Sequence, residues 1–188
     1  PLTLYDCCPT SDGASAVILV ADHLAHKFTD TPIWVKGSGA GSDYLALHDR
    51  PSITQLRATQ SAASKAYRTA GVTSNDIDLA EVHDCFTIAE VLATEDLGFA
   101  SRGQGGLFAR EGEGRRNEGS VTINASGGLK SKGHPLGATG TGQAVEVFKQ
   151  LRQQAEPSRQ VRDAELGLTH NVGGSGATCA VHIFGRDR

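Results

Sequence analysis

Hydrophobic and polar positions along the chain fall into short stretches of two different periods. Ala14–Ala21 is a continuous small and apolar run, which predicts a buried central strand, and the turn residues Pro9, Ser11, Asp12 and Gly13 precede it. Ile33, Trp34 and Val35 predict a short strand ending in a glycine turn by residue 41. From residue 53 to 70 the positions Ile53, Leu56, Ala63, Ala66 and Ala70 recur at helical spacing, and Gly71 marks the helix end. The many alanines suit close packing on a sheet. Leu79–Val82 predicts a strand, and residues 87–98 a helix with Ile88, Val91, Leu92 and Leu97 inward. Residues 101–119 read as a long glycine- and charge-rich loop. A short strand, Val121–Ile123, follows, then a helix over 139–154 striped by Ala144, Val147, Phe148 and Leu151. Leu166–His170 and Ala177–Phe184 predict a hairpin around the turn NVGGSG, with Cys179 and His182 as structural residues of its second strand. This order of elements predicts an α/β layered sheet, made mixed by the terminal hairpin.

Composition changes that picture little. The 188 residues suit one domain, or one and a fragment, and 38% hydrophobic with 21% charged residues is ordinary for a globular protein. A net charge of −3 with mixed signs gives no electrostatic reason to expect nucleic acid or an anionic membrane. No apolar run is long enough to span a bilayer. Cys7, Cys8, Cys85 and Cys179 show neither a CxxC pair nor the spacing of a disulfide framework, so they read as reduced thiols of a cytosolic-type compartment. The abrupt start, one turn before an apolar run and without methionine, reads as the tail of a preceding domain.

Candidate chemistry gathers in three places. Residues 119–142, GSVTINASGGLKSKGHPLGATGTG, hold Gly119, Gly127, Gly128, Gly133, Gly137, Gly140 and Gly142, a density that lets backbone approach a ligand or another segment closely. Asn124, Ser126, Lys130, Lys132 and His134 stand among them, and His134, between Gly133 and Pro135, is suited to proton transfer. His83 and Cys85 end the predicted strand at 79–82, where α/β sheets place ligands. His170, with Asn171, enters the hairpin turn; His48 reads as a surface residue. Two chemistries fit three converging turns. Imidazoles and a thiol are metal ligands, although the spacings match no zinc pattern. They also exchange protons near neutral pH, and imidazole and glycine N–H groups stabilise a thioester or enolate oxygen.

HDCF (His83–Phe86), NASGGLKSKGHPLGATG (Asn124–Gly140) and HNVGGSG (His170–Gly176), in this order, resemble the C-terminal half of thiolases, in particular the sterol-carrier-protein-type and archaeal acetoacetyl-CoA thiolases. YDCCPTSDGASAVILV resembles the end of the thiolase N-terminal domain. The resemblance implies a layered αβαβα thiolase fold. This chain would be mainly the C-terminal half, a mixed five-stranded sheet flanked by helices. Residues 1–28 would close the N-terminal domain with its last core strand, and residues 29–188 would form the C-terminal domain. It implies acyl transfer between coenzyme A thioesters, by thiolysis of a 3-ketoacyl-CoA or the reverse Claisen condensation, with the CoA thioester as substrate and no bound cofactor or metal.

The resemblance also implies roles. His134 would activate a nucleophilic cysteine and help form an oxyanion hole. His83, standing where other thiolases have the asparagine of NEAF, would position a water or the thioester oxygen. The usual CxG cysteine is absent at His170–Gly173, which points to Cys85 as the acid/base, with His170 in the catalytic set. Gly173 would lend its N–H to a second oxyanion hole, and Asn124, Ser126, Gly127, Gly128 and Gly133 would line the substrate site. Cys7 and Cys8 lie in the wrong motif to be the nucleophile. That residue would come from an N-terminal half, in the same polypeptide or on a partner chain, within an oligomer of cytoplasmic location, and this half alone would be inactive. A thiolase-like retro-aldolase on steroid side-chain CoA thioesters and a non-catalytic CoA-binding scaffold are the alternatives.

Overall fold

The glycine-rich segment after Trp34 does not turn. It continues as strand β1, Trp34–Ser42, in the computed structural model, which describes residues 2–187. The reason lies in what faces it. Gly37, Gly39 and Gly41 point at helix α1 (Arg57–Ala70), and a Cβ on them would overlap the carbonyl oxygens of Ala66, Ala62 and Ala58 in turn. Two residues of strand advance about 6.6 Å and four of helix about 6 Å, so alternate glycines stay level with every fourth alanine. An open strand site would gain stability from Gly→Ala. Here Gly39→Ala is expected to cost about 1–3 kcal/mol by overpacking, read as a lower denaturation midpoint; a rise would contradict the packing.

β1 pairs antiparallel with β5 (Thr178–Gly185), and β5 pairs antiparallel with β4 (Leu166–Gly173). β4 runs parallel to β2 (Leu79–Glu81), and β2 parallel to β3 (Thr122–Ile123), giving the order β1-β5-β4-β2-β3. Strand alternation splits the core between the two faces. On one face α1 covers β1 and β5, with Ala58, Ala62, Ala66, Ala80, Leu168 and Val181 buried together. On the other α5 (Thr139–Leu151) covers β4 and β2 through Leu79, Val147 and Leu151. Helices α2 (Thr87–Asp96), α3 (Gly105–Glu111) and the short α4 (Gly128–Lys132) complete the layers. The mixed five-stranded α/β sheet is thus the one expected.

Several local expectations fail for physical reasons. Ala14–Ala21 forms no strand: it pairs with neither sheet edge, and Ile18 and Leu19 are 91% and 77% exposed. One side of its start is engaged, since Ser15 Oγ donates to Ala138 O at 2.7 Å and Gly13 lies so close to Pro135 that a Cβ would collide with it. Residues 101–119 are not all loop. Phe108 is buried, and Gly105 brings α3 against the Val91 carbonyl of α2. The helix after residue 53 starts only at Arg57, and Ile53 is exposed. On α2, Ile88 faces outward while Ala93 and Thr94 are buried.

On α5, Phe148 turns out beneath the Arg152 guanidinium, 5.2 Å from its ring centre. The polar Gln143 and Gln150 take the buried face instead. Gln150 is satisfied there, accepting from Val161 N at 2.8 Å and donating to Glu146 Oε1 at 2.9 Å. β4 runs on through Gly173, so His170 and Asn171 are strand residues pointing to opposite faces. The end residues 1 and 188 of the two expected domain spans lie outside the described residues.

Candidate active site

Two carboxylates at the end of β2 build the loop that carries His134. Glu81, 1% exposed, accepts from Ser126 N at 2.9 Å and from Ser126 Oγ at 2.5 Å. Lys132 Nζ donates to Ser126 Oγ at 2.8 Å and lies 3.5 Å from Glu81. Burial pushes the Glu81 carboxyl up, and Lys132 and the Ser126 donors oppose that shift. Asp84 accepts from Leu129 N at 2.6 Å and from Lys130 N at 3.4 Å, in the first turn of α4. Gly128, at φ +68°, passes so close to Asp84 that a side chain there would strike the carboxylate. Asn124 Oδ1 accepts from Val82 N at 2.8 Å, and Asn124 Nδ2 donates to Glu90 Oε2 at 2.9 Å. Asn124, Ser126 and Gly128 therefore already serve the scaffold, and Gly127 adds a left-handed φ of +94°.

The loop ends on His134, gripped from two sides. Its N–H donates to Ser11 Oγ at 2.8 Å, and Ser11 passes its own proton to Pro9 O at 3.1 Å. Gly133, at φ +96°, leaves room for Ser11. His134 Nδ1 lies 2.7 Å from Thr139 Oγ1, whose proton goes to Pro135 O at 3.1 Å. Nδ1 is then the donor, and Nε2 keeps its lone pair. His83, 5% exposed, makes the equivalent choice: Asn171 Oδ1, 2.8 Å away, accepts from its Nδ1. The two rings meet edge to face, centres 4.7 Å apart and planes at 89°.

Burial lowers both imidazole pKa values. For His83 the Asn171 bond opposes the shift and the nearby His134 adds to it; for His134 the Asp84 carboxylate opposes it. Burial thus favours the neutral form of both rings, each with a basic nitrogen to offer. A cavity of about 550 Å³ opens against them, walled by Asn171, Gly173, Leu136 and Cys179. A second cavity of about 530 Å³ is lined by Lys132, Gly133, Glu146 and Arg159 and by no histidine.

His170, placed by sequence among the catalytic groups, sits one layer deeper. It is 1% exposed, its Nε2 meets Thr59 Oγ1 at 3.0 Å, and its Nδ1 faces His83 N at 3.4 Å. Burial first, and His83 second, lower its pKa to about 3. The sign of the linkage is clear: the unfolded histidine takes up a proton below about 6.5 and the folded one does not. His170 by itself is thus expected to contribute a loss of about 1.4 kcal/mol of stability per pH unit from near 6.5 towards 3. His170→Asn should flatten that limb in denaturant titrations; an unchanged slope would contradict a neutral buried ring. Cys85 does not line the cavity. It is partly exposed at the start of α2, and burial, then nearby Cys8, push its thiol up.

Sequence reasoning left Thr139 and Glu81 out of the site. Their signals were available: Thr139 follows His134 at the start of a helix, and Glu81 alternates with His83 along one strand. Among the described residues no group of three or more His, Cys, Asp or Glu side chains is placed to hold a metal ion.

Residues 39–186 match the family described as thiolase C-terminal domain-like. The chain belongs to that family. This thiolase-like chain is 55% identical over 186 residues to the acetyl-CoA acetyltransferase of Methanothermobacter thermautotrophicus, covering 99% of the chain and 48% of the relative. It is 41% identical over 181 residues to sterol carrier protein 2 of Homo sapiens, covering 94% of the chain and 33% of the relative. The solved Ltp2-ChsH2(DUF35) aldolase superposes with a TM-score of 0.85 at 25% identity, over the whole chain and 48% of that structure. The thiolase-like chain spans about half or less of the length of these relatives, and no helix among its described residues is long and apolar enough to cross a membrane.

Proposed function

We propose that this chain supplies the acid/base and oxyanion-hole half of a thiolase-type acyltransferase site. The reaction is thiolytic cleavage of a 3-ketoacyl-CoA or the reverse condensation of acetyl-CoA. The carrying observation is the edge-to-face pair His83–His134, with both rings facing one cavity. The nucleophilic cysteine comes from the N-terminal half, on the same polypeptide or a partner chain. His134 Nε2 takes the proton from that thiol, and the resulting N–H then points at the oxygen on which negative charge develops. His83 Nε2 accepts from a water, whose other hydrogen reaches the thioester oxygen. Cys85, one residue beyond Asp84 and outside the cavity walled by this chain alone, returns or removes the proton at the substrate α-carbon once the N-terminal half completes the site. Asn171 and Thr139 fix the two ring orientations, His170 positions His83 from behind, and Gly173, a residue of the cavity lining, would lend its N–H to a second oxyanion hole. The CoA thioester is the substrate, and the location is cytoplasmic.

A retro-aldolase is the second reading, because one solved structure of matching fold is named an aldolase. The Methanothermobacter relative named acetyl-CoA acetyltransferase, at 55% identity, favours thiolysis. The full-length protein that carries this chain should be assayed for CoA-dependent cleavage of acetoacetyl-CoA and for cleavage of a β-hydroxyacyl-CoA. Cleavage of the first supports the thiolase reading; cleavage of the second alone overturns it.

A further inference from the structure

Away from the histidines, the start of the chain pairs with the segment that carries Cys85. Cys7 and Phe86 form an isolated antiparallel bridge, and Cys8 N donates to Cys85 O at 2.9 Å. The register therefore sets Cys8 opposite Cys85. Thr87 Oγ1 donates to Asp6 Oδ1 at 3.0 Å and pins the same contact from its other end. Opposed residues of an antiparallel pair have Cα atoms about 4.5–5.5 Å apart, inside the roughly 4.4–6.8 Å that a disulfide bridges. Both thiols are free, and both are partly exposed. They also sense each other, since after burial Cys8 is the largest influence on the Cys85 thiol. Competing pairings are poorer. Cys7 is the chain neighbour of Cys8 and points to the other side of the pairing, and Cys179 is buried in β5.

We infer that Cys8 and Cys85 form a dithiol site, which a low-molecular-weight disulfide such as that of CoA or glutathione oxidises to an intrachain Cys8–Cys85 disulfide. The Cys8 thiolate attacks one sulfur of the small disulfide, breaking its S–S bond and releasing one thiolate, which takes up a proton. The Cys85 sulfur, having lost its proton, attacks the Cys8 sulfur of the mixed disulfide and expels the second small thiol. Two cysteine thiols are oxidised and one disulfide is reduced to two thiols, so the exchange balances. Burial raises both thiols, and the Asp84 carboxylate and Cys7 add to this at Cys8, so exchange calls for mildly alkaline solution. The functional consequence rests on the thiolase reading above: the bridge removes the acid/base thiol and switches turnover off.

The full-length protein, incubated with oxidised glutathione, blocked and digested without reduction, should yield a peptide linking the Cys7–Cys8 segment to Cys85. Cys7→Ser should retain the link and Cys8→Ser should lose it. Acetoacetyl-CoA cleavage should fall with bridge formation and return on reduction, and Cys8→Ser should slow inactivation roughly tenfold or more. Capping of Cys85 by glutathione alone, a link from Cys85 to any other cysteine, or equal inactivation of wild type and Cys8→Ser would overturn the inference. A wild-type protein without thiolase activity would overturn the functional reading, while the linkage map would still decide the dithiol. That map also decides if neither variant folds.

Discussion

Alanine at position 134 is expected to lower kcat/KM for acetoacetyl-CoA thiolysis by about 10²–10⁴-fold, with little change in folding stability. Two features make the effect specific to chemistry. The ring is only partly buried, and its Nδ1 bond to Thr139 can be replaced by water. The backbone N–H that anchors the loop to Ser11 survives the substitution. What is lost is the lone pair on Nε2, the atom proposed to receive the thiol proton, and the N–H donor it would become. Steady-state kinetics of the full-length protein beside a thermal melt would check this. Activity within about threefold of wild type, outside the range of general-base loss, would remove His134 from the mechanism.

Alanine at position 81 should act through structure first. Glu81 is the buried acceptor for both Ser126 donors and the partner of Lys132, and its removal leaves these donors facing a void. Breaking one partner out of a buried ion pair costs about 3–5 kcal/mol. Lys132 is 33% exposed and can turn to water, so the low end, about 3 kcal/mol, is expected here. Glu81→Gln keeps an acceptor for the Ser126 N–H and should lose about 1–1.5 kcal/mol. Activity should fall in the same order, because the loop from Ser126 to His134 is held to β2 by this cluster and by Asp84. Equilibrium denaturation of the three proteins tests the ranking. A loss below about 0.5 kcal/mol for Glu81→Ala, the size of a surface change, would show that Asp84 alone carries the loop.

The sheet was legible in the sequence because most of its strands and their helices carry a clear period. Leu79–Glu81 and the hairpin strands fall where the apolar runs predicted them. β1 was cut short because its glycines look like a turn, and only the alanines of α1 across from them give the reason for a strand. Ala14–Ala21 shows the opposite error. An apolar run specifies burial, not a partner, and this one leaves Ile18 and Leu19 bare within the described chain. Phe148 and Gln150 exchange the faces that composition assigns them, because Gln150 finds hydrogen-bond partners inside and Phe148 finds a guanidinium outside.

The site was legible as motifs but not as roles. His83 and His134 were named from their turns and meet as neighbours. Ser126, Gly127 and Gly128 were read as ligand-facing because glycine-rich turns often are. The buried carboxylates that require them lie more than 40 residues earlier in the chain, at Glu81 and Asp84. No local pattern exposes a pairing of that separation. His170 looked like a turn residue until the strand proved to continue through Gly173, which sends its ring inward to Thr59.

The central claim is that this chain brings the proton-transferring groups to an acyl-CoA. It is tested most directly by following the acetyl-CoA methyl protons by NMR in deuterated buffer with the full-length protein. Wild type should exchange those protons for deuterium, and Cys85→Ser, while remaining folded, should lose the exchange. Exchange at the wild-type rate in Cys85→Ser would contradict that claim.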